Sequence, residues 1–154
     1  MRRLLLVLLI IALVAPFATI AWNQPPLMSS PGLPQRLVTY LTSNEVRSDP
    51  YSAYPERRVP EFRRPPEAVF EAAVAAAESL GWRIVAQNPE RRRLQAVAST
   101  PLLGFKDDVT VSVRSGEDGA AELWVDSVSR LGTADLGANT ARVVAYKAAV
   151  RERL

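Results

Sequence analysis

An uncharged run of nineteen residues near the N-terminus constrains the fold of this chain most strongly. The run extends from Leu4 to Trp22 and is dominated by Leu, Val, Ile and Ala. At 1.5 Å per residue, a helix of this length spans about 28 Å, close to the roughly 30 Å hydrocarbon core of a bilayer. Pro16 lies inside the run, and membrane helices tolerate such a proline. We therefore predict a membrane-spanning helix over residues 4–22.

The charges that flank this run predict its orientation. Two arginines precede it, and no further Lys or Arg occurs before Arg36. Because positively charged flanks stay on the cytoplasmic side, we expect a single-pass protein of the cell membrane, with a cytoplasmic N-terminus and a periplasmic or otherwise extracytoplasmic C-terminal domain. The alternative is a signal peptide that is cleaved after Ala21, which would release a secreted periplasmic protein. We favour the retained anchor because signal-peptide cores usually span only about 7–15 residues.

The chain contains no cysteine and no histidine. The missing cysteine excludes disulfides, thiolate metal sites and cysteine nucleophiles. The missing histidine excludes the commonest general base and the commonest zinc ligand. Catalysis would have to use carboxylates, a lysine, a tyrosine or hydroxyl groups. We therefore expect no cofactor and no metal site, and we expect a non-catalytic protein rather than an enzyme.

The net charge of +3 does not indicate a nucleic-acid-binding protein once it is divided along the chain. Residues 1–66 contain eight arginines against four acidic residues, whereas residues 67–154 contain eleven Lys and Arg against twelve acidic residues. The basic excess therefore lies outside the predicted globular part. Because a nucleic-acid-binding domain needs a basic face, we expect no nucleic-acid partner.

Two segments between the predicted membrane helix and the globular part are rich in residues that break regular structure. Residues 23–41 contain four prolines with Ser and Gly, which predicts an extended, poorly packed spacer. Its last part, residues 37–41, suits either a short strand or a helical turn. In the next segment, prolines and arginines interrupt every periodic pattern, which predicts an extended arm that wraps the domain. We therefore divide the chain into an anchor (1–22), the spacer (23–41) and one globular domain (42–154) that includes the arm (42–65).

Periodic apolar patterns from residue 65 onward predict two helices around four strands. The first helix begins at Pro65 and Pro66, where proline suits the first turn, and ends before Gly81. The predicted strands cover residues 82–87, 94–99, 108–114 and 122–128, with a turn at 115–119. The last helix covers residues 136–153 with Asp135 as its N-cap. Its expected buried stripe consists of Ala141, Val144, Ala145, Ala148 and Leu154.

This order of elements predicts an α+β fold. We expect a four-stranded antiparallel sheet with two helices packed on one face, in the order helix, four strands, helix. The N-terminal transmembrane helix and the extended arm precede this unit.

Acidic, basic, hydroxyl and amide side chains recur at short spacings near the ends of the last two strands and at the start of the last helix. The candidate site residues are Asp107, Asp108, Ser129, Arg130, Asp135, Asn139 and Arg142. Neighbouring residues of a strand point to opposite faces of a sheet. Only one of Asp107 and Asp108 is therefore expected to join the rest of the cluster.

Three interpretations of this cluster are open. In the first, which we favour, an Asp–Arg–Asn network clasps the last helix to the sheet, and removal of a buried Arg130 would strongly destabilise the fold. In the second, the start of the last helix, with Arg130 and Arg142, binds a phosphate or carboxylate of an envelope lipid, glycan or peptide, although Asp135 opposes an anion. In the third, the carboxylates serve a hydrolase or, with Asn139, an oxygen-ligand metal site, which the two arginines disfavour.

Two motifs of this region resemble those of a known family. They read Gly104-Phe105-x-Asp107-Asp108-Val109 and Ser127-x-Ser129-Arg130-x-Gly132-x-x-Asp135-x-Gly137-x-Asn139-x-x-Arg142. Over residues 42–154 the chain is similar to the uncharacterised family catalogued as domain of unknown function fourteen-ninety-nine. The resemblance implies a small envelope or lumenal protein, often with a leader or membrane segments, and implies no activity.

The chain departs from this family at one signature. The family usually opens with a sequence like Pro-Asn-Cys-Val-Ser-Ser, and here Ser43-Asn44-Glu45-Val46-Arg47-Ser48 stands in its place. Glu45 occupies the position of the cysteine. A role for that thiol therefore does not apply to this chain, and the departure indicates that the fold does not need it.

The sequence thus predicts a membrane-anchored extracytoplasmic domain that binds or scaffolds a partner at the cell envelope. Its expected partners are the membrane, through residues 4–22, and an envelope lipid, glycan or protein. The alternative functions are a small carboxylate-dependent hydrolase and an anionic-ligand-binding protein that acts on envelope lipid or glycan.

Overall fold

A computed structural model describes residues 1–100, 104–116 and 119–154 of the chain. Its elements in chain order are α1 (Arg2–Asn23), α2 (Leu33–Thr42), β1 (Glu45–Val46), a 3-10 turn (Pro55–Arg57), β2 (Glu61–Phe62), α3 (Pro66–Ser79), β3 (Arg83–Asn88), β4 (Arg93–Ser99), β5 (Lys106–Ser115), β6 (Ala121–Ser129) and α4 (Ala138–Arg151). Residues 117–118 of the predicted turn lie outside the described ranges.

The strands form one antiparallel sheet. Their order is β1–β6–β5–β4–β3, and β2 also pairs with β6. This confirms an α+β fold with an antiparallel sheet and an apolar N-terminal helix before it. The predicted number of four strands was too low, because β1 and β2 of the arm add to β6. Each contains only two residues, too few to show the alternation by which strands are recognised.

One apolar core lies between the sheet and the helices α3 and α4. β5 contributes alternate valines, α3 contributes Val69 and Phe70, and α4 contributes Tyr146. As predicted, α3 has prolines at its start, and the chain leaves it through Gly81. Gly81 has a φ of +71°, a conformation that glycine adopts without strain.

The buried face of α4 is not the apolar stripe that the sequence predicts. Val144, Ala145 and Ala148 of that stripe are exposed. The buried residues of α4 are instead Asn139, Thr140, Val143, Tyr146, Lys147 and Val150. The prediction was wrong because the polar side chains of this face find buried partners, which apolar periodicity does not reveal.

Lys147 is the clearest example of a buried polar side chain on α4, and its burial predicts that the stability of the domain depends on pH. It is 4% exposed, and its Nζ donates to the backbone carbonyl oxygens of Glu56 at 2.7 Å and Arg58 at 2.8 Å. Burial, and secondly the charge of Arg151, lower the pKa of Lys147 from 10.5 to about 8. The folded state therefore releases this proton near pH 8, whereas the unfolded state keeps it until about pH 10.5.

Between these two values the unfolded chain binds more protons, so the contribution of Lys147 to the free energy of unfolding rises with pH. We expect wild type to gain on the order of 2–3 kcal/mol relative to Lys147→Met between pH 8 and 10. Urea unfolding of the full-length protein in non-ionic detergent at several pH values measures the difference. Lys106→Met, which removes the exposed second lysine, should leave the slope of wild type unchanged. A wild-type slope that survives Lys147→Met would contradict the assignment.

The segment expected to be an extended spacer contains helix α2. Pro34 lies in the first turn of α2, where a proline favours the start of a helix. Arg36 is fully buried, and its guanidinium donates two 2.9 Å hydrogen bonds to the Glu56 carboxylate and one of 2.7 Å to the Tyr40 hydroxyl. The spacer is therefore packed on the arm rather than extended, and residues 37–41 are helical.

Candidate functional site

The structure separates the two neighbouring aspartates as strand alternation predicts. Asp107 is 1% exposed and faces α4, whereas Asp108 points to the opposite face of the sheet. Ser129 lies opposite Asp107 in the register of β5 and β6, so its neighbour Arg130 shares the face of Asp108. The Arg130 Nη2 to Asp108 Oδ1 distance is 2.6 Å, and both side chains remain about half exposed, at 46% and 58%. The interpretation that placed Arg130 in the buried cluster was wrong.

A buried network joins β5, β6 and α4. Arg142 Nη2 donates to Asp107 Oδ2, and Arg142 Nη1 donates to Asn139 Oδ1 at 2.6 Å. Asn139 Nδ2 donates to Ser129 Oγ at 2.9 Å. The Arg142 side chain is 9% exposed. Four of the candidate residues thus meet in one network that connects the last helix to the sheet.

Two residues outside the candidate set complete this network. Ser127 is fully buried, and its Oγ donates to Asn139 Oδ1. Asn44 is the residue before β1, and its backbone carbonyl accepts a hydrogen bond from Asn139 Nδ2 at 2.9 Å. Ser127 was detectable in the sequence, because residues two apart in a strand point to the same face of the sheet and Ser127 lies two residues before Ser129 in β6. The role of Asn44 depends on the pairing of β1 with β6, which the sequence did not reveal.

Asp135 lies two residues before Gly137, the N-cap of α4, and its carboxylate accepts hydrogen bonds at the start of this helix. Its Oδ1 accepts the N–H of Gly137 at 2.8 Å, and its Oδ2 accepts the N–H of Asn139 at 3.0 Å. Burial raises the pKa of Asp135, and these two backbone hydrogen bonds act in the opposite direction. The prediction that Asp135 is the N-cap was wrong, because α4 begins at Ala138 rather than at residue 136 and Gly137 is its N-cap. The Asp135 carboxylate nevertheless accepts an N–H group of the first turn.

These contacts leave little at this end of α4 to bind an anion. The N–H groups of Gly137, Ala138 and Asn139 already donate to Asp135, and the guanidinium of Arg142 already donates to protein acceptors. Arg130 lies on the other face of the sheet. Two carboxylates and one guanidinium therefore remain here, a balance that disfavours a phosphate or carboxylate ligand. Within residues 1–100, 104–116 and 119–154, no group of three acidic side chains is placed to hold a metal ion.

One oxygen of this network is not satisfied. Asp107 Oδ1 is shielded from solvent and accepts no hydrogen bond from any residue that the structure describes. A buried carboxylate oxygen without a donor costs free energy, and native structures contain few of them. Among the described residues, Asp107 Oδ1 is therefore an acceptor that an ordered water molecule or a ligand can satisfy.

A cavity of about 240 Å³ lies beside this carboxylate, between the end of α1, the ends of β5 and β6, and the loop before α4. We call it the junction cavity. Its polar wall includes Asp107, Ser129 and Asp135. The rest of its wall is largely apolar and includes Trp22, Phe105, Leu131, Ala134 and Leu136.

The last turn of α1 packs against the domain beside the junction cavity. Ile20 is 2% exposed although nearly all of α1 is exposed, and Asn23 Nδ2 donates to the backbone carbonyl of Leu136 at 3.0 Å. After α1, Pro25 packs on Gly137 so closely that a Cβ added to Gly137 would lie 2.6 Å from Pro25 Cγ. The apolar helix α1 and the loop before α4 thus share one packed junction.

This packing predicts that Gly137 tolerates no side chain. Gly137→Ala combines a φ of +81° with the clash against Pro25. The left-handed conformation costs about 1–2 kcal/mol for alanine, and overpacking adds about 1–3 kcal/mol. Gly81→Ala is the matched control, because Gly81 has a φ of +71° and no described atom within 4 Å of its added Cβ. Equal losses in urea unfolding would show that Pro25 exerts no steric constraint.

Comparison with known proteins gives one assignment. No curated protein matches the chain. A family model described as a protein of unknown function, DUF1499, matches residues 25–150. The match covers most of the chain and includes every residue of the buried network and of the cap. The chain therefore belongs to the DUF1499 family of proteins of unknown function.

Proposed function

We propose that this protein is a membrane-anchored, extracytoplasmic module that binds a small molecule at the surface of the cell envelope. The observation that carries the proposal is Asp107, a buried residue that lines the junction cavity and whose Oδ1 has no protein donor in the described residues. Ligand sites are mostly apolar cavities with a few polar groups that fix the orientation of the ligand. The junction cavity has this composition.

The same geometry favours binding over hydrolysis. A carboxylate-dependent hydrolase needs two carboxylates that act on one substrate. Both oxygens of Asp135 accept backbone N–H groups, and one oxygen of Asp107 accepts Arg142. The cap and the ion pair hold these carboxylates in structural contacts, which supports a non-catalytic role.

The packed end of α1 supports a retained anchor. Cleavage after Ala21 would remove Thr19 from the cavity wall and the buried Ile20 from the junction. The two arginines before the apolar run favour a cytoplasmic N-terminus and therefore an extracytoplasmic domain. Cell fractionation and the intact mass test this part: we expect the full chain in the membrane fraction, and a soluble protein that begins at Trp22 would contradict it.

Material that copurifies with the protein tests the binding function. Full-length protein is purified in a mild detergent, extracted with organic solvent and analysed by mass spectrometry. Ala134→Leu fills the cavity from its wall, and Ala148→Leu adds the same volume on the exposed face of α4 as a control. We expect one class of molecule in wild type and Ala148→Leu that is lost in Ala134→Leu. Equal amounts in all three proteins, or none in wild type, would contradict the proposal.

A further inference from the structure

We propose that the ligand of the junction cavity is an amphiphile with a primary ammonium head group, which enters the cavity head first and leaves its hydrocarbon tail at the membrane surface. This inference rests on the proposed binding function and specifies the chemical class of the ligand.

The hydrogen-bonding groups of the site select a donor. Asp107 Oδ1 is an acceptor without a donor among the described residues, whereas the guanidinium of Arg142 and the first N–H groups of α4 already have acceptors. A ligand that brings only acceptors would leave Asp107 Oδ1 unsatisfied. A ligand with an N–H or O–H group would satisfy it.

The charges of the site favour a cation among the possible donors. Asp107 and Asp135 both line the cavity, and Arg142 is the one guanidinium that contacts this pair of carboxylates in the described residues. An ammonium group restores the balance, and a hydrogen bond between ions is stronger than one between neutral groups. The site thus favours ammonium over hydroxyl, and hydroxyl over an anion.

The size of the cavity limits what it holds. Its volume of about 240 Å³ lies below the range of about 300–1,000 Å³ that is usual for small-molecule sites. A head group and the first part of a chain fit, and a complete membrane lipid does not. The remainder of an amphiphile must therefore lie outside the cavity.

The rim of the cavity supplies an apolar surface for that remainder. Phe105, Leu131 and Trp22 line the cavity and are 49%, 68% and 65% exposed. A groove of about 450 Å³ shares Trp22 with the cavity, and Trp82 and Val144 form part of its wall. This apolar surface surrounds the end of α1, where a membrane-spanning helix would leave the bilayer. A tail that extends from the cavity therefore reaches the hydrocarbon of the same membrane.

Three eight-carbon probes that differ only in the head group test the inference: octylamine, octanol and octanoate. Calorimetry is performed on full-length protein in non-ionic detergent, and the same titration of protein-free micelles is subtracted to remove partitioning into the detergent. Ala134→Leu is titrated separately to show whether a probe binds in the cavity. We expect octylamine to bind about 10-fold more tightly than octanol, and octanoate to show no saturable binding. Asp107→Asn should weaken octylamine binding about 10-fold, and Asp108→Asn, on the opposite face, should leave it unchanged.

The order of the three probes is measured on wild type and does not depend on the folding of any variant. Octanol or octanoate binding most tightly, with binding lost in Ala134→Leu, would overturn the ammonium assignment and leave the binding function standing. Saturable binding of none of the three probes would also overturn the assignment, while the extraction experiment decides the binding function separately.

Discussion

Arg142→Met is expected to destabilise the domain by about 3–5 kcal/mol, because it leaves the buried Asp107 carboxylate without its ion-pair partner. Asp107 is 1% exposed, and its Oδ1 already has no donor in the described residues. The variant also removes the guanidinium that donates to Oδ2. Arg142 also donates to Asn139 and Ser127, which lose a shared donor. The free energy of unfolding is measured by urea denaturation of the full-length protein in detergent.

Two further variants separate loss of the ion pair from loss of the arginine side chain. Arg130→Met removes the exposed partner of Asp108 and should leave the unfolding midpoint near that of wild type. The double variant Arg142→Met with Asp107→Leu removes both charges and should recover much of the lost stability. A loss below about 1 kcal/mol for Arg142→Met, with the fold intact, would refute the network as a clasp between sheet and helix.

Arg36→Met is expected to have a similar effect, about 3–5 kcal/mol, at the other buried ion pair. The Glu56 side chain is 3% exposed and accepts both of its 2.9 Å hydrogen bonds from Arg36. Arg36 also donates to the backbone carbonyls of Ser29 and Ser30, which joins the start of α2 to the turn before it. The variant should therefore release α2 from the arm as well as lower the stability of the domain.

Limited proteolysis and urea unfolding detect these two consequences. We expect faster cleavage between residues 25 and 42 in Arg36→Met than in wild type. Arg47→Met is the control, because Arg47 pairs with Glu45 at the surface, where the two side chains are 59% and 42% exposed. Wild-type stability and wild-type cleavage in Arg36→Met would show that α2 is not held by this pair.

Long periodic segments made most of the fold predictable. α3 shows a regular apolar face after a proline start, and β5 alternates valine with polar residues over its length. Such patterns reflect burial on one side of the element, which is the dominant stabilising contribution in folding. They located α1, α3 and β3–β6 within a few residues.

The elements that were missed depend on contacts distant in sequence. β1 and β2 are strands only because β6 offers an edge to them, and α2 is packed through distant contacts such as that of Arg36 with Glu56, twenty residues later. The buried face of α4 was misassigned because Lys147 and Asn139 are buried with specific acceptors. Local hydrophobicity does not record such pairings.

The candidate site was only partly predictable, because part of it also depends on contacts between residues that are distant in sequence. Alternation correctly separated Asp107 from Asp108. Arg130 was wrongly expected in the same cluster as Arg142, because its face of the sheet depends on the register of β6 against β5. The junction cavity was not predictable, since it exists only where the end of α1 meets the loop before α4.

The most direct test of the central claim is an experimental high-resolution structure of the full-length protein purified with its native lipids. We predict density for a non-protein molecule in the junction cavity, with a donor atom at hydrogen-bonding distance, about 2.7–3.2 Å, from Asp107 Oδ1. The same density should continue past Trp22 and Phe105 towards the membrane. A cavity that contains only ordered water, or an Asp107 Oδ1 that accepts a hydrogen bond from the protein itself, would contradict the account.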